Sequence, residues 1–236
     1  MTEKQILRKI FPIYRSICKN LNAFREAVDA IEDGHNLYVK KAFMLGSLCL
    51  AEAKELKRKY PRPGLLLCYV AVETLSNCLA YFKKTKGFKN NNFKENYRIE
   101  NTINKTMEFC NFLNSHCPKP LINKIRFKKY VNNSIKQSDF YEFLRYLYQK
   151  SRSYAVHKGI FRTLGSSNSF SDVYINEKGE NCYVAIEIKG NTLPGWLFKV
   201  ACGSFKNFLN KEEISTSPQS ATPLNNSRHP ILRHPK

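Results

Sequence analysis

Residues 65–82, LLLCYVAVETLSNCLAYF, carry apolar side chains on nearly every side of a helix, which constrains the fold more than any other stretch. A helix that is apolar all round has to lie at the centre of a bundle, with partners on every face. A chain of 236 residues with 42% hydrophobic content is long enough to supply them. Tyr60-Pro61-Arg62-Pro63-Gly64 just before it reads as a hard stop separating it from the preceding helix. Glu73 is the one acid inside the run. An unpaired buried charge is costly, so Glu73 must find a donor or sit at a cleft edge. A local network with Asn77, one turn on, accounts for it as well as a functional role does.

The flanking sequence supplies the partner helices. Residues 3–32 have helical periodicity (Ile6, Ile10, Ile13, Ile17, Leu21, Phe24, Val28, Ile31), with a kink or break expected at Pro12 and an end at Asp33-Gly34. Asn36 to Tyr60 reads as a second helix and Arg98 to Leu113 as a shorter one. Lys83 to Asn96 reads as a mobile surface loop. Leu121 to Val131 reads as a brief helical piece. Past Gly165–Ser169, a linker, the period changes to two. Asp172–Asn176 and Asn181–Ile188 read as strands of a hairpin turning at Glu177-Lys178-Gly179. Pro194 to Leu209 reads as a last helix. Residues 212–236, rich in Ser, Thr, Pro and Asn, read as a disordered tail. The expected fold is mainly α: a helical bundle with a C-terminal β-hairpin near 171–189 and a final helix. Residues 1–34 form an N-terminal helical segment and 35–211 the domain.

Charge decides the class of partner. There are 39 Lys and Arg against 19 Asp and Glu, a formal net charge of +20. The basic residues recur in Lys4–Lys19, Lys54–Arg62, Lys83–Lys94, Lys119–Lys129 and Arg145–Arg162, over the folded body and not in one arm. A polyanion is the expected partner, and nucleic acid is the commonest. A merely solubilising surface is the plainer alternative. The eight cysteines include no CxxC pair and sit mostly in apolar stretches, so they read as reduced, buried residues of a cytoplasmic protein. No Cys/His set has zinc-ligand spacing, and no cofactor motif is present. Without an uninterrupted run of 18 apolar residues, no membrane span is expected.

The stretch Phe140 to Gly159, FYEFLRYLYQKSRSYAVHKG, reads as one amphipathic helix stopped by a glycine. At about 100° per residue, Phe140, Phe143, Leu144, Leu147 and Tyr148 share a core-facing arc. Arg145, Tyr146, Gln149, Arg152, Ser153 and His157 share the opposite, polar arc. Alanine at Arg152 or His157 is therefore expected to leave the fold intact. The spacing Arg152-x4-His157 is weak by itself, since 12 arginines and five histidines yield roughly three-quarters of an Arg-x4–6-His match by chance. Context separates it from the unframed Arg228 and His234 of the tail. Structurally, a helix C-terminal His bonding a last carbonyl and an Arg in a surface ion pair would explain the same two residues.

Together these features resemble HEPN domains, especially the Apea-like branch. The resemblance rests on CYVAVETLSNCLAYF with its embedded acid, a basic stretch, further helices, and a late aromatic helix leading to Arg-x4-His-Lys-Gly. It covers roughly residues 35–210 in pattern. Arg152, Ser153 and His157 match the family's signature by position, with Ser153 standing where the family often has Asn, Asp or His. The resemblance implies a metal-independent endoribonuclease, often a toxin or antiviral defence effector, needing no cofactor and working as a homodimer whose motif helices meet. An antitoxin or regulatory complex fits the same picture. Arg152, His157 and Ser153 would be catalytic, with Glu73 and Gln149 supporting. RNA carries its own nucleophile, the 2′-OH, so the site needs an acid–base group near neutral pH and a fork of donors for the phosphate. Two readings of other kinds remain: a catalytically inactive HEPN-like module binding RNA or protein, and, ranked last, a basic helical protein on DNA or an anionic membrane.

Overall fold

The computed structural model describes residues 1–85, 102–136, 139–152, 168–175 and 178–216. Caps set the helix starts. Helix α1 (Glu3–Tyr14) opens with a capping box between Thr2 and Gln5. Pro12 lies inside it without ending it, on the exposed side, where water can take the carbonyl the proline leaves unbonded. The chain instead breaks between Tyr14 and Asn20, and Asn20 caps α2 (Leu21–Gly34) by accepting from the Ala23 amide. Asn36 caps α3 (Leu37–Lys59) through the amides of Tyr38 and Val39.

The central helix α4 is longer than expected, Pro61–Lys84. Pro61 and Pro63 fall in its first turn, where amides have no helical partner to lose, so the prolines start the helix where a longer break was expected. Among the described residues α4 alone is long and apolar enough to cross a membrane by length and composition. Here Leu65, Cys68, Tyr69, Ala71, Val72 and Leu75 are buried against α3 and its other neighbours. Gly46 sets the approach of α3. A Cβ there would meet the Ala71 carbonyl oxygen at 2.9 Å and the Phe205 ring at 2.8 Å.

Helix α5 spans Lys105–His116, with Asn104 as its cap, and residues 98–101 of the expected 98–113 helix lie outside the described residues. A single turn, α6 (Lys119–Ile122), follows. The expected helical piece at 121–131 is instead mostly a strand. Strand β1 (Ile125–Val131) turns through Asn132 and Asn133, with φ of 47° and 66°, into β2 (Ser134–Lys136). Two consecutive left-handed residues suit a tight hairpin, and asparagine tolerates that geometry. Strands β3 (Ser169–Ile175) and β4 (Asn181–Ile188) form the expected hairpin and join the first pair in one antiparallel sheet, in the order β2-β1-β4-β3.

Between the hairpins, α7 (Phe140–Tyr146), capped by Asp139, runs into a π-helical segment, Leu147–Arg152. The last helix, α8 (Leu193–Thr216), continues past the expected end at Leu209. The rest of the expected tail lies outside the described residues, as do most of the 83–96 loop and 165–167 of the linker. The buried face of the sheet rests on α7: Phe127 packs on Phe143 (ring centroids 5.6 Å) and Phe143 on Trp196 of α8 (5.4 Å). One continuous core joins α1 and α2 to α3, α4, α5, α7, the sheet and α8. The chain is mainly helical, with a small four-stranded antiparallel sheet in place of a lone hairpin.

Candidate functional site

Glu73 sits midway along α4, 9% exposed among apolar neighbours. Its donor comes from 79 residues further along the chain. Arg152, the last residue of the π-helical segment, donates from Nε to Oε1 at 2.5 Å and from Nη2 to Oε2 at 2.7 Å. This is a two-pronged guanidinium–carboxylate pair, the strongest geometry available to these groups. The Glu73 hydrogen bond outweighs the cost of burial and raises the Arg152 pKa further above its ordinary value. Asn77 is not the partner, and its Oδ1 bonds to nothing among the described residues.

Tyr148 completes the cluster. Its ring lies 5.4 Å from the Arg152 guanidinium carbon and 5.0 Å from Phe109. Burial, with the Glu73 carboxylate beside it, pushes its hydroxyl up to about 12. Glu73 thus grips one edge of the guanidinium and the Tyr148 face lies near it. Among the described residues Nη1 has no hydrogen-bond partner. The sequence placed Tyr148 on the core-facing arc, correctly, but gave no sign that it adjoins Arg152 and Glu73. Spacing of four residues from Arg152 is the one cue it offered.

The helical wheel fails on the other side. Tyr146, expected on the polar arc, is 8% exposed. The sheet covers Tyr146 and leaves Arg145 exposed: Tyr146 packs 6.0 Å from Phe127 and 5.9 Å from Tyr174, and its hydroxyl donates to Asp172 at 3.0 Å. Burial and the Asp172 carboxylate raise the Tyr146 pKa. A wheel supposes one covered face, whereas α7 is sandwiched between bundle and sheet. From Leu147 on, the wider π turn also advances each residue by less than the α-helical 100°. Arg152 is in consequence a half-buried tie to α4 and not a surface ion pair, so its replacement by alanine would disturb stability as well as any chemistry.

Gln149 is half-buried and bonds neither Glu73 nor Arg152. Ser153 and His157 lie outside the described residues. The thiols of Cys110 and Cys117 are pushed up to about 12 and that of Cys78 to about 11 by burial, which makes them poor nucleophiles near neutral pH. Among the described residues no three His, Cys, Asp or Glu side chains cluster to hold a metal ion. No protein-family model, curated protein or solved structure matches the chain.

Proposed function

We propose that the chain is a metal-independent endoribonuclease of HEPN type, in which Arg152 and His157 act on a phosphodiester of RNA and Glu73 and Tyr148 position Arg152. The observation that carries this is the grip of Glu73, the lone acid of the central helix, on Arg152, the residue that opens the Arg-x4-His sequence. A guanidinium fixed through Nε and Nη2 can present its remaining edge to a phosphate without reorganising at the moment of reaction.

In the proposed reaction the 2′-OH attacks the adjacent phosphorus and the P–O5′ bond breaks. One imidazole removes the 2′ proton and another delivers a proton to the leaving 5′ oxygen, giving a 2′,3′-cyclic phosphate and a 5′-OH. Arg152 balances the charge that builds on the non-bridging oxygens, and Ser153 orients Arg152 or His157 by hydrogen bonding. Two imidazoles require two chains, since each motif supplies one, so the working species is a homodimer. A toxin or defence effector held in check by an antitoxin fits such an enzyme.

The test is cleavage of end-labelled RNA by purified protein in EDTA. Expected are fragments ending in 2′,3′-cyclic phosphate, lost in His157→Ala and Arg152→Ala. Near wild-type cleavage by His157→Ala overturns the assignment. A second reading, an RNA-binding module without activity, draws on the same ion pair, because a half-buried Arg–Glu bridge also serves as a plain tie between helices. Salt-sensitive binding with no fragments in any condition would select it.

A further inference from the structure

One face of the sheet is buried on α7, and the other is open to solvent. The strand register puts Ile135, Tyr130, Tyr183 and Val173 in one row across all four strands of the open face. Ile135 is 70% exposed, Val173 66% and Tyr183 42%. Tyr130 and Tyr183 are neighbours, with ring centroids 5.5 Å apart. The next row is Lys128, Ala185 and Ser171, and the one after it Arg126, Glu187 and Ser169.

The two kinds of row differ in bulk and in charge. Ser169, Ser171 and Ala185 are small, so a shallow depression opens over them, walled on the β1 side by Lys128 and Arg126. Glu187 is the one acid on these rows, and Arg126 pairs with it at 3.3 Å. Lys128 has no carboxylate within ion-pairing distance among the described residues and is exposed. A row carrying two neighbouring tyrosine rings beside a trough with an unpaired lysine suits a single nucleic-acid strand. Bases stack on the rings while ribose and phosphate run over small residues beside a lysine. A duplex hides its base faces and cannot use such a surface.

We infer that the open face of the β2-β1-β4-β3 sheet binds single-stranded RNA, with Tyr130 and Tyr183 stacking bases and Lys128 and Arg126 meeting the backbone. The inference rests on the proposed function only in taking RNA as the polyanion that a +20 chain meets. It narrows the substrate to unpaired segments. A second copy of the chain is the rival occupant of an apolar row this exposed.

A fluorescein-labelled 12-nucleotide 2′-O-methyl RNA is the probe, because it lacks the attacking hydroxyl and reports binding whether or not the protein cleaves. With the full chain, Tyr183→Ala should weaken binding about 5- to 160-fold, the range expected for one stacked base. Tyr183→Leu should behave like Tyr183→Ala and Tyr183→Phe like wild type, which separates stacking from folding. Lys128→Ala should reduce the slope of log affinity against log salt by about 0.7. The same oligonucleotide as a duplex should bind more weakly and ignore Tyr183. Unchanged single-strand affinity in Tyr183→Leu and Lys128→Ala overturns the platform, and so does equal sensitivity with the duplex. A change only in oligomeric state by light scattering assigns the face to a second copy instead. Loss of cleavage in Arg152→Ala with oligonucleotide affinity intact bears on the cleavage site alone.

Discussion

At the scale of single residues, the Glu73–Arg152 pair couples stability to the proposed chemistry. Side-chain exposures of 11% and 20% mean that neither group can be fully rehydrated when the other is removed. Glu73→Leu and Arg152→Met should each cost about 1.5–3 kcal/mol, the range for hydrogen bonds to charged groups. The double variant Glu73→Leu/Arg152→Met, with no charge left to bury, should recover much of that loss. Thermal melts of the four proteins close the cycle. Single losses that simply add would mean the pair is too well solvated to matter. Cleavage, if it depends on Arg152, should not return in the double variant, which separates the structural and chemical roles of the same guanidinium.

Among the elements, Lys40 does for the N-terminal helices what Arg152 does for α4 and the π-helical segment. Its ammonium, on a side chain 8% exposed, reaches Asp29 at 2.6 Å, Glu32 at 3.1 Å and Glu3 at 3.2 Å, so one residue of α3 holds α1 and α2. Burial alone would lower its pKa, but the hydrogen bonds to Asp29, Glu32 and Glu3 outweigh it and hold the pKa well above the ordinary lysine value. A raised folded-state pKa contributes stability that is complete below the unfolded lysine value of about 10.4 and is lost as pH climbs through the folded one. Lys40→Met should therefore cost about 1–2 kcal/mol between pH 6 and 9, allowing for the partial exposure of the three carboxylates. The gap from wild type should begin to narrow above about pH 10.4 and close only once pH has passed the raised folded-state value. Urea melts between pH 7 and about pH 11.5 check it, and a gap that does not narrow at all above about pH 10.4 would refute the charge argument. Tyr148, pushed up to about 12, moves the same way. It must stay protonated in the folded state, so wild-type stability should also start to fall near pH 10.

For the whole molecule, the open question is what a second chain would add. The sheet buries Tyr146, which removes that ring from any surface where two motif helices could meet. A homodimer would have to bring two copies of the 152–157 stretch together by another face. Mixing His157→Ala with wild-type chains tests the composite site. If each cleavage needs both imidazoles, mixed dimers are inactive, and with random assortment at equal amounts about a quarter of the dimers remain active. Activity falling only in proportion to the wild-type fraction would mean that each chain works alone.

Composition and periodicity by themselves determined the mainly helical build, the buried central helix, the β3–β4 hairpin and the core-facing residues Phe143, Leu144, Leu147 and Tyr148. These follow from local pattern, because an apolar run or a stripe must find cover whatever covers it. Glu73 was legible as an acid in need of a donor, since the cost of burying a charge does not depend on which residue meets it. Which residue met it was not, because the partner lies 79 positions away and only packing brings them together. The β1–β2 pair was missed for a related reason. Ile125 to Val131 alternates too weakly to announce a strand, and pairing with β4 along its whole length gives it its form. Tyr146 was misplaced because a helical wheel cannot know that a sheet will lie on its polar side. Tertiary structure alone decided those three matters, each of them a contact between segments far apart in the chain, where local energetics has no say.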